Sequence, residues 1–194
     1  STIKSAFSVL KPYPYSRAYN IELLSLFFEL TNKIKKDGAL AIEADVENPK
    51  ESALFNKYKL IQKDARVMEF LCDNLRLIIT GRVDVMHLET IMDFDIETFE
   101  HEAELPVNAI NKVADGLPAF GIVAAVMGVV HTMESIGLPP EQLGELIAKA
   151  LVGTFLGVLL AYGFTAPIAA CLDNRRQSAL KILNAVKVVL IASC

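Results

Sequence analysis

Three histidines, His87, His101 and His131, carry the widest chemical repertoire in this chain, and their spacing serves none of it. Metal-binding histidines usually recur within a few residues of each other or of a cysteine pair, and these lie far apart. No nucleophile is matched to a base, and no glycine-rich loop could cradle a phosphate. Glu97, Glu100, Glu102 and Glu104 surround His101, a pattern that reads as a solvated helix face. Cys72, Cys171 and Cys194 follow neither a paired nor a metal-binding spacing. Cys72 suits a reducing compartment, and Cys171 a small apolar position. Enzyme chemistry is therefore not expected, nor a cofactor or a nucleic-acid partner. The informative residues are quieter ones. Thr154 and Thr165 are hydroxyls in an otherwise apolar run, and Pro118 and Pro167 each lack the backbone N–H that a helix needs.

Those four residues lie in two stretches, Gly116–Met133 and Ala150–Leu172, that contain no Asp, Glu, Lys or Arg. A bilayer is crossed by roughly 20 apolar residues in a helix. The second stretch exceeds that length, and the first serves with a small tilt or a thin bilayer. The whole-chain figures, a net charge of −4 and 22% charged residues, hide this split, although a mean hydropathy of +0.38 does not. The expected organisation is a charged helical domain over 1–112 and a transmembrane hairpin over 113–172. The hairpin spans are about 115–133 and 150–172, with a short outer loop at 134–149, and 173–194 form a basic tail. No sustained period-two alternation occurs, so the fold class is all-α. The chain opens at Ser1 without methionine and ends in an apolar run, which suggests a piece of a longer protein.

Local signals predict the helices of the first domain. Ser16 can cap a helix carrying Leu23, Leu24, Phe27, Phe28 and Ile34, with Lys33, Lys35 and Lys36 in its last turn and Gly38 closing it. Asn48-Pro49 reads as a helix start. Gln62–Thr80 carries Met68, Leu71, Leu75 and Ile78 and stops at Gly81. Asp84 can cap a further helix bearing Leu88, Ile91, Met92 and Phe99.

Arg175, Arg176, Lys181 and Lys187 follow the second stretch, whereas 134–149 is acidic with one lysine. The positive-inside tendency then puts both ends of the hairpin, and the first domain, in the cytoplasm. Gly153 and Gly157 form a Gly-x-x-x-Gly element, and Gly121, Ala125 and Ala124, Gly128 repeat its spacing. Small residues four apart let helices approach closely, and packing of the hairpin on itself outweighs oligomerisation as the reading. Pro118 fits a first helical turn, where proline is tolerated, and Pro167 does not. Both prolines are placed near the cytoplasmic face at similar depth, which favours a water-accessible or moving site over a plain anchor. Thr154 and Thr165 either bond their own preceding turn or line a pore. Neither stretch holds a carboxylate, so a proton path through them needs an acid from a partner.

The sequence also resembles the MotA family of flagellar stator proteins, within the MotA/TolQ/ExbB proton channels. The resemblance rests on Ala114-Asp115-Gly116-Leu117-Pro118-Ala119-Phe120-Gly121 through Met127-Gly128-Val129-Val130-His131. It extends to Val152-Gly153-Thr154-Phe155-Leu156-Gly157, Asp45-Val46-Glu47-Asn48-Pro49 and Leu75-Arg76-Leu77-Ile78-Ile79. The family has two further membrane helices before the cytoplasmic region, and this sequence does not contain them. The resemblance implies a multi-pass protein of the bacterial inner membrane, set in a pentameric ring around two MotB helices. Each MotB-like chain brings an intramembrane aspartate. Pro118 and Pro167 match the prolines beside that aspartate, and Thr154 matches a threonine on the ion path. Ala125 resembles proton-driven rather than sodium-driven members, so the coupling ion is expected to be H+. Glu43 matches a glutamate facing the rotor protein FliG. Lys35 stands where the family has arginine, which keeps the charge and loses the bidentate geometry. The rival expectations are an ExbB/TolQ-type energiser of outer-membrane transport and a passive membrane scaffold.

Overall fold

The computed structural model describes Val9, residues 13–134, Gly137 and residues 139–193. Those residues are almost entirely helical, with no strand among them. The helices are α1 Arg17–Asp37, α2 Glu43–Glu47, α3 Lys59–Gln62, α4 Ala65–Thr80, α5 Val85–Glu134, α6 Pro140–Val158 and α7 Ala166–Ser193. Short 3-10 turns occupy Ala39–Ile42 and Phe55–Lys57, and a π-helical segment, Leu159–Thr165, joins α6 to α7.

Helix limits follow local chemistry. The Ser16 hydroxyl accepts the Tyr19 N–H at 3.3 Å, and Gly38, at φ 83°, closes α1 by donating to the Ile34 carbonyl at 2.9 Å. Gly81 ends α4 in the left-handed region at φ 62°, a conformation glycine adopts without steric cost. Asp84 accepts the His87 N–H at 2.8 Å and starts α5 as expected. Two signals resolve differently. The Gln62 start is divided between α3 and α4, because Asp64 accepts the Val67 N–H and caps a new helix. Asn48-Pro49 starts no helix. Asn48 instead closes α2 through its own N–H to Ala44, and Ser52 accepts the N–H groups of Leu54 and Phe55.

The described residues divide into two compact units. One, the core unit, comprises Pro12–His101 and Arg175–Cys194. Leu23, Leu26 and Leu30 of α1, Val67, Leu71 and Leu75 of α4, and Leu88, Met92 and Ile96 of α5 are buried together there. Ile182, Leu183, Val186 and Leu190 of α7 complete that cluster. The tail expected over 173–194 thus continues a helix through Ser193 and contributes Ile182, Leu183, Val186 and Leu190 to a core; position 194 lies outside the described residues. Each such aliphatic side chain contributes about 1.5–3 kcal/mol on leaving water. Lys187 bridges Asp93 at 2.8 Å and Glu89 at 3.6 Å, and Arg176 bridges Glu100 at 2.8 Å, tying α7 to α5 within this unit.

The hairpin unit contains Val9 and the residues from Glu102 to Asn174. Helix α5 does not begin anew at the apolar stretch; it runs unbroken from Val85 with Pro106 and Pro118 inside it. Pro118 is therefore an interior proline, not a first-turn one. Residues 140–149, expected as loop, are helical as well: Pro140 takes the first helical position and Glu141 follows in the first turn. Both Val85–Glu134 and Pro140–Ser193 are long and apolar enough to cross a membrane. Only 11% and 22% of their most apolar windows are buried, whereas the core helix of a water-soluble protein would be mostly covered. Phe120, Phe155 and Tyr162 stand exposed. An apolar surface of that extent is not tolerated in water and must face lipid or other subunits.

Candidate functional site: the glycine-packed hairpin

Close approach of α5 and α6 depends on missing side chains. A Cβ added at Gly121 would lie 2.9 Å from the Gly153 carbonyl oxygen, 3.2 Å from the Thr154 Cα and 3.3 Å from the Gly157 Cα. One added at Gly157 would lie 2.7 Å from the Leu117 carbonyl oxygen. A Cβ added at Gly128 would collide with the Ala150 side chain and backbone. Gly153 and Gly157 thus lie at the closely packed seam of the hairpin. Ala125 is half-buried at the same seam, its backbone nitrogen 3.8 Å from a Cβ built at Gly153.

The Thr154 hydroxyl donates to the Gly121 carbonyl oxygen at 3.3 Å. This is neither of the alternatives read from the sequence, because the bond crosses to the facing helix. Its oxygen lone pairs retain accepting capacity. The Thr165 hydroxyl does bond its own helix, donating to the Leu160 carbonyl at 2.9 Å, five residues back. That interval is the π register, and the Ala166 N–H likewise reaches Ala161. Pro167 cannot donate a ladder bond to the preceding turn, and within the widened segment before it the Thr165 hydroxyl adds a donor to the Leu160 carbonyl. Sequence reasoning missed the π segment, although a proline two residues after a threonine was its visible signal.

The antiparallel register separates the two prolines. Gly128 pairs with Ala150 and Gly121 with Gly157, and Val107 and Ile110 cluster with Ala169 and Leu172. Carried along the helices, this pairing sets Pro118 opposite Leu160 and Pro167 opposite Asn111. Seven residues at 1.5 Å each place the prolines about 10 Å apart along the axis, so the expectation of similar depth does not hold. The π segment fills the interval between them. Pro118 is half-buried and Pro167 exposed.

Residues 62–185 of the sequence match the pattern of the MotA/TolQ/ExbB proton channel family. The chain belongs to that family. It is 45% identical over 192 residues to motility protein A of Salmonella typhimurium, and equally so to that of Escherichia coli. Those alignments cover 99% of this chain and 65% of each relative. The chemotaxis protein LafT of Vibrio parahaemolyticus is 32% identical over 174 residues, 90% of this chain and 61% of the relative. The chain therefore spans just under two thirds of the length of these relatives. In fold it is similar to C. jejuni MotAB, with a TM-score of 0.81 at 18% identity over 99% of this chain and 67% of that one. The flagellar MotAB stator complex of Bacillus subtilis gives 0.77 at 20% identity, over 98% of this chain and 67% of that one. The fold class expected from the sequence stands, and the family expected from its motifs is the one found.

The core unit of this family member holds the two charged residues singled out for partner contact. Lys35 lies in the last turn of α1 and Glu43 opens α2, and both are exposed. Nearby, Lys33 bridges Asp45 at 2.7 Å, and the Ser52 hydroxyl donates to the same carboxylate at 2.6 Å. Burial opposes ionisation of Asp45, but the hydrogen bonds from Lys33 and Ser52 and the lysine charge outweigh it and hold the carboxyl below its usual range. Burial pushes the Cys72 thiol up to about 11, so it stays protonated and unreactive at neutral pH. Among the described residues no group of three or more His, Cys, Asp or Glu could hold a metal ion.

Proposed function

We propose that this chain is the greater part of a flagellar stator subunit, driven by protons and acting on the rotor. The reading is carried by one observation: 45% identity to motility protein A runs through 99% of the chain, hairpin and core unit alike. The hairpin supplies the physical counterpart. It has a glycine-packed seam, a π segment between two interior prolines, and no carboxylate in either apolar stretch. On this reading a MotB-like partner brings an aspartate into the interval between the two prolines, in a pentameric ring of this subunit. Loading and unloading of that acid shift the helices beside Pro118 and Pro167, with Thr154 and Ala125 along the ion path. The membrane is the bacterial inner membrane, both hairpin ends lie on its cytoplasmic side, and Lys35 and Glu43 meet FliG there.

The test uses the complete protein in a strain lacking its own stator subunit. Pro167→Leu should abolish swimming while membrane insertion and co-purification with the partner persist. Normal swimming of that variant counts against the stator reading. A defect confined to nutrient uptake would instead indicate an ExbB-type role.

A further inference from the structure

Helix α2 has five residues, Glu43–Glu47, and no side-chain cap at Ile42. That is far below the roughly 12–15 residues at which a helix becomes marginally stable by itself in water. It follows Gly38, at φ 83°, and the turn Ala39–Ile42, so nothing local fixes its direction relative to α1. Contacts from three sides do. Ile42 and Val46 are fully buried. Asp45 takes Lys33 of α1 at 2.7 Å and the Ser52 hydroxyl at 2.6 Å. From α4, Arg76 donates through Nε to Glu47 at 3.0 Å and through Nη2 to the Val46 carbonyl at 3.2 Å. Its Nη1 donates to Asp73 at 2.6 Å. Asp45 and Glu47 lie about 200° apart around the helix, so α2 is gripped on opposite faces. The charges thus divide. Lys33, Asp45 and Glu47 are engaged within the core unit, whereas the side chains of Lys35 and Glu43 are exposed and pair with nothing among the described residues.

We propose that Asp45 and Arg76 are positioning residues, which lock α2 so that Glu43 is presented at a fixed distance and angle from Lys35. The proposal rests on the stator reading, which gives those two exposed charges a partner, and it adds the residues that hold them still. The motifs Asp45-Val46-Glu47-Asn48-Pro49 and Leu75-Arg76-Leu77-Ile78-Ile79 then share one role, because Arg76 joins them. Its guanidinium fork reaches a carboxylate and a backbone carbonyl of α2 while bonded to Asp73. A lysine would keep the charge and lose that geometry. Glu47 also stands one turn from Glu43 on the same face, where like charges repel, and Arg76 offsets its charge. Partly exposed pairs such as these contribute little to global stability. Their effect belongs to the local order of a segment that cannot hold its own shape.

The test compares the complete protein, assembled with its partner, with Asp45→Asn and Arg76→Lys. Hydrogen exchange followed by mass spectrometry should quicken over residues 43–52, roughly threefold for Asp45→Asn and roughly tenfold for Arg76→Lys, and stay unchanged over 88–92. In cells lacking their own stator subunit, both variants should swim at roughly half speed or less. Proton entry into vesicles holding the assembled complex should stay at the unsubstituted level, and Lys181→Ser should swim normally. Loss of proton entry in step with swimming would be general damage and overturns the proposal. Unchanged exchange over 43–52, or full-speed swimming despite faster exchange, overturns it as well. Should Arg76→Lys fail to insert, Asp45→Asn decides by the same three readings. Immotile Pro167→Leu cells beside full-speed Asp45→Asn and Arg76→Lys cells remove the positioning role alone. Normal swimming of Pro167→Leu removes the stator reading and this proposal with it.

Discussion

Asp45 shows how a single carboxylate is set by its neighbours. Lys33 and Ser52 both donate to it, and Ser52 also receives two backbone N–H groups, so the turn from α2 to Phe55 is fixed through one side chain. The folded carboxyl titrates below the unfolded value of about 3.9. The pair therefore contributes fully above pH ~4, and its contribution is lost as pH falls through the lower folded value. With Lys33 partly exposed, the contribution is about 0.5–1 kcal/mol. Asp45→Asn should lower stability by that amount at pH 7, and the two proteins should converge as pH falls through the lowered folded value, in denaturant titrations followed by circular dichroism. A constant difference down to pH 2 would show that the ion pair is not the cause. Thr154 offers a second residue-scale test. Thr154→Val keeps the shape and loses the bond to Gly121, at a cost of about 0.6–1.7 kcal/mol. Thr154→Ser should retain most of it, and thermal unfolding in detergent separates the two.

Among the elements, the α5–α6 seam makes the sharpest demand on sequence. At Gly121 the obstructing atoms are backbone of the facing helix, which no rotamer change can move aside. Gly121→Ala should cost about 1–3 kcal/mol as an overpacked contact, whereas Gly144→Ala, open within 4 Å, should be neutral or slightly stabilising. Comparable unfolding temperatures for the two would rule out this seam. The same elements show what a sequence can and cannot convey. Ser16, Asp84, Gly38 and Gly81 were legible because each acts within a few residues of itself. Asn48-Pro49 misled because a capping side chain followed by proline also suits the turn after a helix. The small-residue spacing identified the face of each span but not its partner position, so the offset of Pro118 from Pro167 emerged only from the register. Ile182, Leu183, Val186 and Leu190 became meaningful once α1, α4 and α5 offered a core to fill. The π segment's one sign in the sequence was Thr165 two residues before Pro167, which does not by itself specify a widened turn.

For the molecule as a whole, the decisive fact is a division of chemistry. The two apolar stretches carry hydroxyls, glycines and prolines, and every Asp, Glu, Lys and Arg lies outside them. Moving a proton through hydrocarbon needs a group that can take it up and release it at depth, and threonine hydroxyls do not titrate in the physiological range. The apolar stretches can shape a path and respond to a charge on their surface, but they hold no carboxylate to carry it. Vesicles containing this chain alone, loaded with a pH-sensitive dye and given an acid-outside gradient, should acidify no faster than protein-free vesicles. Adding a partner helix with one intramembrane aspartate should raise the rate severalfold, and replacing that aspartate by asparagine should return it to baseline. A leak through this chain by itself, equal to that of the complex, would mean that some residue here titrates inside the bilayer.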